Sequence, residues 1–212
     1  MTGSSAMIGK LLRRMPGAGR VARLLAAGPP RHRVFLLEML PRQSVGAEVG
    51  VHLGDFSAEI LRAVAPRELH LIDPWRHEAS EAYSEAWYGG KARDGQAEMD
   101  ARHRRVCERF AAEMRAGQVK IHRSSSADAL RALPDAYLDW IYIDGNHLYE
   151  YVKEDLELAL RKVRPGGAIT GDDYREGGWW QGGVKKAVDE IVQREPVERI
   201  AIRNQQFVLR RR

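Results

Sequence analysis

The chain has 212 residues, of which 44% are hydrophobic and 30% are charged, a balance typical of a globular domain with one sizeable core. Its single cysteine excludes an internal disulfide framework and favours a reducing compartment. No apolar run approaches the roughly 20 residues that a membrane-spanning helix needs. Basic residues interrupt each apolar stretch near the N-terminus, so no signal peptide is expected. We therefore expect a soluble, cytoplasmic protein without integral membrane association.

The net charge of +5 is distributed unevenly along the chain. Residues 1–33 contain seven of the 34 Lys and Arg residues and no acidic residue, which leaves 27 basic and 29 acidic residues in 34–212. The sequence thus predicts a basic N-terminal arm at 1–33 followed by one domain at 34–212. Such an arm can contact phosphates or anionic lipids, or can stay solvated. Because the domain itself is not basic, we expect no nucleic-acid partner.

Short apolar runs alternate with helical patterns after a short helix at about 34–40. Strands are predicted at 47–51, 69–72, 119–122, 138–143 and 167–170, with helices at 57–64, 102–113, 149–163 and 184–194. The last two runs, 197–202 and 206–209, are separated by three residues and predict a hairpin. This order predicts an α/β fold, with a parallel sheet covered by helices on both faces and an antiparallel strand at the end.

The connection at about 74–101 is unusually long and contains Trp75, Tyr83, Trp87 and Tyr88. Long insertions in compact domains are usually lids, binding loops or disordered segments. The aromatic content favours an ordered lid, because disordered segments are poor in aromatic residues. A dimer contact explains the insertion almost equally well, and together with the arm it leads us to expect a homodimer.

Ligands of an open parallel sheet bind beyond the carboxyl ends of its strands. Gly50 and Gly54 follow the first strand, where glycines allow close approach to the backbone, and Ser57 can cap the next helix. Asp73 ends the second strand, at the place where an acid accepts hydrogen bonds from ribose hydroxyls. The spacing Gly50-x-x-x-Gly54 differs from the Gly-x-Gly-x-x-Gly of NAD sites. It therefore favours a nucleoside ligand without a pyrophosphate.

Three carboxylates follow two later strands. Asp144 ends the fourth strand, and Asp172 and Asp173 end the fifth. If these strands are neighbours, the three carboxylates repel one another, and a hard divalent cation such as Mg²⁺ removes that conflict. The alternative is that Asp172 or Asp173 caps the following segment and that Asp144 alone faces the ligand.

These motifs together resemble those of the class I S-adenosylmethionine-dependent methyltransferases. The segments that carry the resemblance are EVGVHLG at 48–54, LIDPW at 71–75, IDGNH at 143–147, RPGG at 164–167 and GDDY at 171–174. More narrowly, over roughly residues 45–210, the chain is similar to the metal-dependent sugar O-methyltransferases of the macrolide-sugar and novobiocin-sugar type. The resemblance implies a Rossmann-like, mostly parallel sheet of seven strands with an antiparallel last strand. It also implies S-adenosyl-L-methionine and Mg²⁺, or another divalent cation, as cofactors.

The resemblance further implies roles for individual residues. The expected cofactor contacts come from the ends of several strands: Glu48, Gly50, Val51, Gly54, Ser57, Asp73, Ser126 and Asp144. Within this set Asp73 would hold the ribose and Ser126 the adenine edge, although a serine at that place can also cap a helix. The expected metal ligands are Asp144, Asp172 and Asp173.

Methyl transfer to a hydroxyl requires activation, because an alcohol is a poor nucleophile at neutral pH. A metal bound to the acceptor oxygen lowers the pKa of the hydroxyl, and a base removes its proton. His147, three residues after Asp144, is the candidate base, and both are expected to be catalytic. Some related sugar methyltransferases have an acid at the position of Asn146. Because asparagine cannot act as a base, His147 is the candidate instead. His147 could instead contact the cofactor or order its loop. Trp179 and Trp180 are candidate acceptor contacts, with a lid or core role as the alternative.

The leading functional hypothesis is Mg²⁺-assisted O-methylation of a sugar, oligosaccharide or glycoside hydroxyl. One alternative acceptor is a catechol-like or other small natural-product hydroxyl. A nucleic-acid methyltransferase is disfavoured, because IDGNH replaces the Asn/Asp-Pro-Pro-aromatic motif of amino methylation after the fourth strand. A non-catalytic S-adenosylmethionine-binding scaffold is disfavoured because it needs no carboxylate cluster.

Overall fold

The structure, a computed structural model, describes residues 33–212, so all of the predicted basic arm except Arg33 lies outside the described residues. The strands are β1 (Val45–Val49), β2 (Glu68–Ile72), β3 (Val119–His122), β4 (Leu138–Ile143), β5 (Val163–Gly171), β6 (Val197–Arg203) and β7 (Gln206–Arg211). The helices are α1 (Val34–Glu38), α2 (Asp55–Ala63), α3 (Gln96–Arg109), α4 (Ala111–Arg115), α5 (Ser126–Ala132), α6 (Tyr149–Lys162) and α7 (Gly183–Arg194).

The seven strands form one sheet in the order β3-β2-β1-β4-β5-β7-β6. Strands β1 to β5 pair in parallel, whereas β7 runs antiparallel to both β5 and β6. The predicted seven-stranded, mostly parallel sheet with an antiparallel last strand is therefore confirmed. The strand order reverses between β1 and β4, which is the place where open α/β sheets bind their ligands.

The sheet separates two hydrophobic clusters, because alternate side chains of each strand point to opposite faces. Ile141 faces the cluster that contains residues of α6 and α7. Tyr142 faces the cluster that contains residues of α1, α2 and α3. Strand β4 is apolar and almost entirely buried, as expected for a central strand covered by helices on both sides.

Several boundaries differ from the predicted ones. Strand β1 begins and ends two residues earlier than predicted, because the backbone turns at Gly50, where φ is +89°. Helix α3 begins at Gln96, so the last six residues of the predicted insertion are helical. The remaining segment, 74–95, is hereafter the insertion loop. Its first aromatic residue, Trp75, is a core residue with 1% exposure and is not part of a lid.

Within residues 33–212, no helix has the length and the apolar character required to cross a bilayer.

Candidate active site

The carboxyl ends of four neighbouring strands bring the predicted site residues to one edge of the sheet. Parallel pairing aligns Val49 of β1 with Ile72 of β2 and with Ile143 of β4, and Ile143 with Gly171 of β5. The residues that follow these four positions are Gly50, Asp73, Asp144 and Asp172. The predicted convergence of the glycine turn with the acidic residues is therefore present.

The turn after β1 requires glycine at position 50. Besides the positive φ of Gly50, a Cβ at this residue would lie 2.0 Å from the carbonyl oxygen of Asp144. The Gly50 amide donates to the Ile72 carbonyl over 2.9 Å, and the Asp144 amide donates to the Val49 carbonyl over 2.8 Å. The turns after β1 and β4 thus touch, and no side chain separates them.

Asp73 organises the backbone of the glycine turn. Its Oδ2 accepts hydrogen bonds from the amides of Val51 and His52, each over 3.0 Å, and its Oδ1 accepts one from the Trp75 amide over 2.7 Å. Burial raises the pKa of Asp73, and these amides oppose that effect. The sequence predicted only a ribose contact for this residue. A carboxylate has about four lone-pair sites, so Asp73 retains capacity for a ligand hydroxyl.

Glu48 and Ser57 form a buried pair beneath the glycine turn. The Ser57 hydroxyl donates to Oε2 of Glu48 over 2.5 Å, and the two residues are 0% and 1% exposed respectively. Burial raises the pKa of Glu48 to about 8, although the hydrogen bond from Ser57 opposes the shift. Both are predicted cofactor contacts, and the structure places them where β1 meets the first turn of α2.

The serine run after β3 divides its roles between neighbouring residues. Ser125 is the N-cap of α5, and its hydroxyl accepts a hydrogen bond from the Asp128 amide over 3.1 Å. Ser126 is hydrogen-bonded to Asp155, a buried acid whose pKa is raised by burial to about 7. The helix-capping alternative therefore belongs to Ser125, and the adenine contact of Ser126 stays a prediction.

His147 lies between two of the predicted metal ligands. Its Nε2 is 3.4 Å from Oδ1 of Asp144, and its Nδ1 is 3.2 Å from Oδ2 of Asp173. These three residues each offer one ligand atom, and the three atoms lie within 4.8 Å of one another. Burial lowers the pKa of His147, but the carboxylates of Asp144 and Asp173 next to it outweigh that effect, so the pKa is raised overall.

Arg33 is a site residue that the sequence analysis missed. Its Nη1 lies 3.0 Å from Oδ2 of Asp144, and its Nη2 lies 2.6 Å from Oδ2 of Asp172. Its guanidinium carbon lies 5.4 Å from the ring centroid of Phe56 and 6.0 Å from that of Tyr142. No local pattern distinguishes Arg33 from the other basic residues of the arm, because its partners follow distant strands.

The three predicted metal ligands therefore have different partners. Asp172 faces Arg33, Asp173 faces His147, and Asp144 faces both. Burial and then the charge of Asp144 raise the pKa of Asp172, even though Arg33 opposes them. Carboxylate oxygens are the ligands that Mg²⁺ prefers, and a cation would relieve this repulsion. The residues present thus fit a divalent cation.

The insertion loop packs over this cluster. Asn146 donates from Nδ2 to the Tyr83 hydroxyl over 2.9 Å, and the Tyr83 ring packs edge-on against Trp179, with 5.5 Å between the centroids. Trp179 in turn stacks on the His147 ring at 5.8 Å. Trp180 is 6% exposed and belongs to the core, which is the alternative that the sequence left open.

Two buried hydroxyl groups near the cluster lack a hydrogen-bond partner among the described residues. The hydroxyls of Tyr88 and Tyr142 are buried and make no hydrogen bond to any residue in 33–212. Tyr142 is the penultimate residue of β4, two residues before Asp144, and the Tyr88 ring lies 6.2 Å from that of Trp179. Buried polar groups are rarely left unpaired, so both hydroxyls are candidates for a hydrogen bond to a bound molecule.

Residues 47–174, more than half of the chain, match the family described as methyltransferase domain. A protein of Acanthamoeba polyphaga mimivirus, described as uncharacterized, is 40% identical over 63 residues, which are 30% of this chain and 28% of that protein. The chain thus spans little more than a quarter of the length of this curated relative.

Two solved structures illustrate the shared fold. An O-methyltransferase from Bacillus cereus, in complex with SAH, is 16% identical, with a TM-score of 0.58 over 99% of this chain and 91% of that chain. The O-methyltransferase TomG from Streptomyces achromogenes, in complex with SAM, is 20% identical, with a TM-score of 0.56 over 86% of this chain and 79% of that chain.

Proposed function

Because this chain belongs to the methyltransferase domain family, we propose that it is an S-adenosylmethionine-dependent O-methyltransferase. The predicted class I resemblance is confirmed by the family match and by the seven-stranded sheet. The observation that carries the proposal is the placement of His147 between Asp144 and Asp173, at the strand end next to the Gly50 turn and two strands from Asp73. A candidate base and a candidate nucleoside cleft thus share one edge of the sheet.

The cleft at the ends of β1 and β2 has the properties that the methyl donor requires. S-Adenosylmethionine supplies a methyl group on a sulfonium, which a nucleophile displaces in line. The bare backbone at Gly50 permits close approach, and Asp73 can accept a ribose hydroxyl. Glu48 is a buried acid next to this turn, and a cationic ligand nearby favours its ionised form.

The cluster at the ends of β4 and β5 provides for activation of the acceptor. Asp144, Asp172 and Asp173 would hold a divalent cation, which lowers the pKa of a hydroxyl bound to it when present. His147 would accept the proton of the acceptor hydroxyl, and the two flanking carboxylates orient the imidazole and stabilise its protonated form. Asp144 therefore has two roles, as a ligand of the cation and as a partner of His147.

The acceptor class that we propose is a sugar, oligosaccharide or glycoside. Trp179 beside His147 offers a ring face on which a sugar ring stacks, and the free Tyr88 hydroxyl offers a hydrogen bond. The same ring also suits a flat, catechol-like acceptor, so the second candidate is O-methylation of a phenolic or other natural-product hydroxyl. The carboxylates around His147 disfavour a non-catalytic binding scaffold, because such a scaffold needs no carboxylate cluster.

Methyl transfer to a panel of glycosides, free sugars and catechols, with Mg²⁺ or with EDTA, tests the proposal. We expect Mg²⁺-dependent methylation of a glycoside by the wild type. His147→Gln and Asp173→Asn should each lower the turnover at least 100-fold, on the order of a lost general base. Glu157→Gln, an exposed change on α6, is the matched control and should leave the turnover unchanged.

The results distinguish the candidates. Turnover restricted to catechols would replace the sugar hypothesis, and turnover that is equal in EDTA would remove the metal from the mechanism. Absence of both turnover and S-adenosylhomocysteine binding in the wild type would contradict the methyltransferase function.

The homodimer and the cytoplasmic location expected from the sequence remain part of the proposal. Sedimentation of the full chain tests the first, with a dimer as the expected result and a monomer as the contradicting one.

A further inference from the structure

We propose that Arg33 is an internal cation that competes with a divalent metal ion for Asp144 and Asp172. The inference rests on the metal-assisted part of the proposed function and assigns a role to a residue outside the family match, which begins at residue 47. In this role Arg33 neutralises the carboxylate pair while no metal is bound, and its side chain leaves as the metal enters.

The position of Arg33 is specific. Its two terminal nitrogens each contact a different carboxylate, Asp144 at 3.0 Å and Asp172 at 2.6 Å. The guanidinium also lies over the rings of Phe56 and Tyr142. Three quarters of the side chain is covered, and the side chains of Asp144 and Asp172 are only 16% and 9% exposed. Arg33 therefore occupies a largely buried position between the ends of β4 and β5, with specific contacts on several sides.

The two cations exclude each other for a geometric reason. Mg²⁺ binds carboxylate oxygens at about 2.0–2.1 Å and demands near-octahedral geometry. Two of the three expected metal ligands, Asp144 and Asp172, each have Oδ2 engaged by Arg33. A metal ion on these oxygens would meet the guanidinium at contact distance, where like charges repel.

Two features make Arg33 displaceable. Its Nε is buried and makes no hydrogen bond to a described residue, so its pairing is incomplete. Arg33 also precedes α1, whose Leu36 and Leu37 are buried in the core. Rotation of the Arg33 side chain can therefore vacate the carboxylates while these two leucines keep α1 in place.

The charge of the cluster favours the exchange. Asp144, Asp172 and Asp173 carry three negative charges when ionised, and Arg33 supplies one positive charge. A divalent ion neutralises this set more completely than the guanidinium does. Arg33 therefore raises the metal concentration at which the site fills, without abolishing metal binding.

Calorimetric titration of Mg²⁺ into the full chain tests the competition. The Kd for Mg²⁺ should be at least ten times lower in Arg33→Ala than in the wild type. Arg33→Lys retains the charge without the two-pronged contact and should lie between them. Arg164→Ala removes a positive charge that is paired with Asp139 at 2.6 Å, away from the site, and should leave the Kd within twofold of the wild type.

Three results would overturn the inference. These are an equal or higher Kd in Arg33→Ala, an equal gain in Arg164→Ala, and no Mg²⁺ binding by any variant. A titration of S-adenosylhomocysteine on the same samples separates the two hypotheses. Cofactor binding without the Arg33 effect removes only the inference, whereas absence of cofactor binding removes the proposed function.

The wild type provides a second readout, which needs a variant only to assign one resonance. The Nε–H resonance of Arg33, assigned by its loss in Arg33→Lys, should shift or exchange faster with solvent as Mg²⁺ saturates the site. An unchanged resonance at saturation would show that metal and Arg33 bind together, contrary to the proposal.

Discussion

The Ser57 hydroxyl donates a hydrogen bond of 2.5 Å to the Glu48 carboxyl at a point that solvent does not reach. Burial raises the pKa of Glu48 to about 8, so the carboxyl is mostly protonated at neutral pH in the unliganded protein. An acid in this position beside a candidate cleft for a cationic methyl donor links ligand binding to the stability of the fold.

Glu48→Gln should stabilise the unliganded protein at pH 7.5 and have little effect at pH 5. Between about pH 4.5 and pH 8 the folded chain retains a proton at Glu48 that the unfolded chain loses, so the free energy of unfolding falls as pH rises. Glutamine stays neutral and should gain roughly 1–3 kcal/mol at pH 7.5. Urea unfolding from pH 5 to pH 8 measures this, with Glu157→Gln as the exposed control. A gain that is the same at every pH would contradict the shift.

Gly50→Ala should destabilise the fold far more than Gly117→Ala. Both glycines have positive φ, +89° and +74°, but only at Gly50 does a Cβ meet backbone, 2.0 Å from the Asp144 carbonyl oxygen; nothing lies within 4 Å of a Cβ at Gly117. Gly117→Ala should cost about 1 kcal/mol from backbone strain alone, and Gly50→Ala several kcal/mol because the turns after β1 and β4 must separate. Thermal unfolding of the two variants measures this difference. Equal losses of stability would show that the turns after β1 and β4 do not touch.

Asp73→Asn should loosen the glycine turn even without a ligand. The two carboxylate oxygens of Asp73 accept three backbone hydrogen bonds, from Val51, His52 and Trp75, whereas asparagine has one accepting oxygen and an NH2 group that only donates. At least one amide then loses its partner, at a cost of about 1–3 kcal/mol. Amide hydrogen exchange should accelerate either at Val51 and His52 or at Trp75, according to which of them faces the NH2 group, while exchange in α6 stays unchanged. Unchanged protection at all three amides would contradict this role of Asp73.

Tyr83→Phe should open the insertion loop, and Tyr88→Phe should not. The Tyr83 hydroxyl accepts a hydrogen bond from Asn146, whereas the buried Tyr88 hydroxyl has no hydrogen bond to a residue in 33–212. Hydrogen exchange over residues 80–92 of the unliganded protein should therefore rise several-fold only in Tyr83→Phe. An equal rise in both variants would mean that ring packing, and not this hydrogen bond, holds the loop.

The strands and the residues at their carboxyl ends were predictable because they depend on local patterns. The apolar run of β4 and the alternation of strands and helices indicated a parallel sheet, and topology then brings Asp73, Asp144 and Asp172 to one edge. The end of β1 was misplaced by two residues, because the pattern of apolar residues continues through Gly50 and Val51 although the backbone turns there.

The parts that were not predictable depend on contacts between distant segments. Trp75 reads as one more aromatic residue of the insertion, yet its indole donates to the His52 carbonyl over 3.0 Å and is buried. Arg33 is likewise one of seven basic residues in 1–33, and only the folded sheet brings it to Asp144 and Asp172. Neither of these contacts produces a periodicity or a motif spacing that can be recognised in the sequence.

The most direct test of the proposed division into a cofactor cleft and a neighbouring metal cluster is calorimetric titration of S-adenosylhomocysteine into the wild type and Asp173→Asn, with and without Mg²⁺. Asp173 flanks His147 and is not among the expected cofactor contacts. We predict one binding event per chain in the wild type, with an affinity that Asp173→Asn leaves within about threefold. Failure of the wild type to bind S-adenosylhomocysteine under either condition would contradict the methyltransferase assignment.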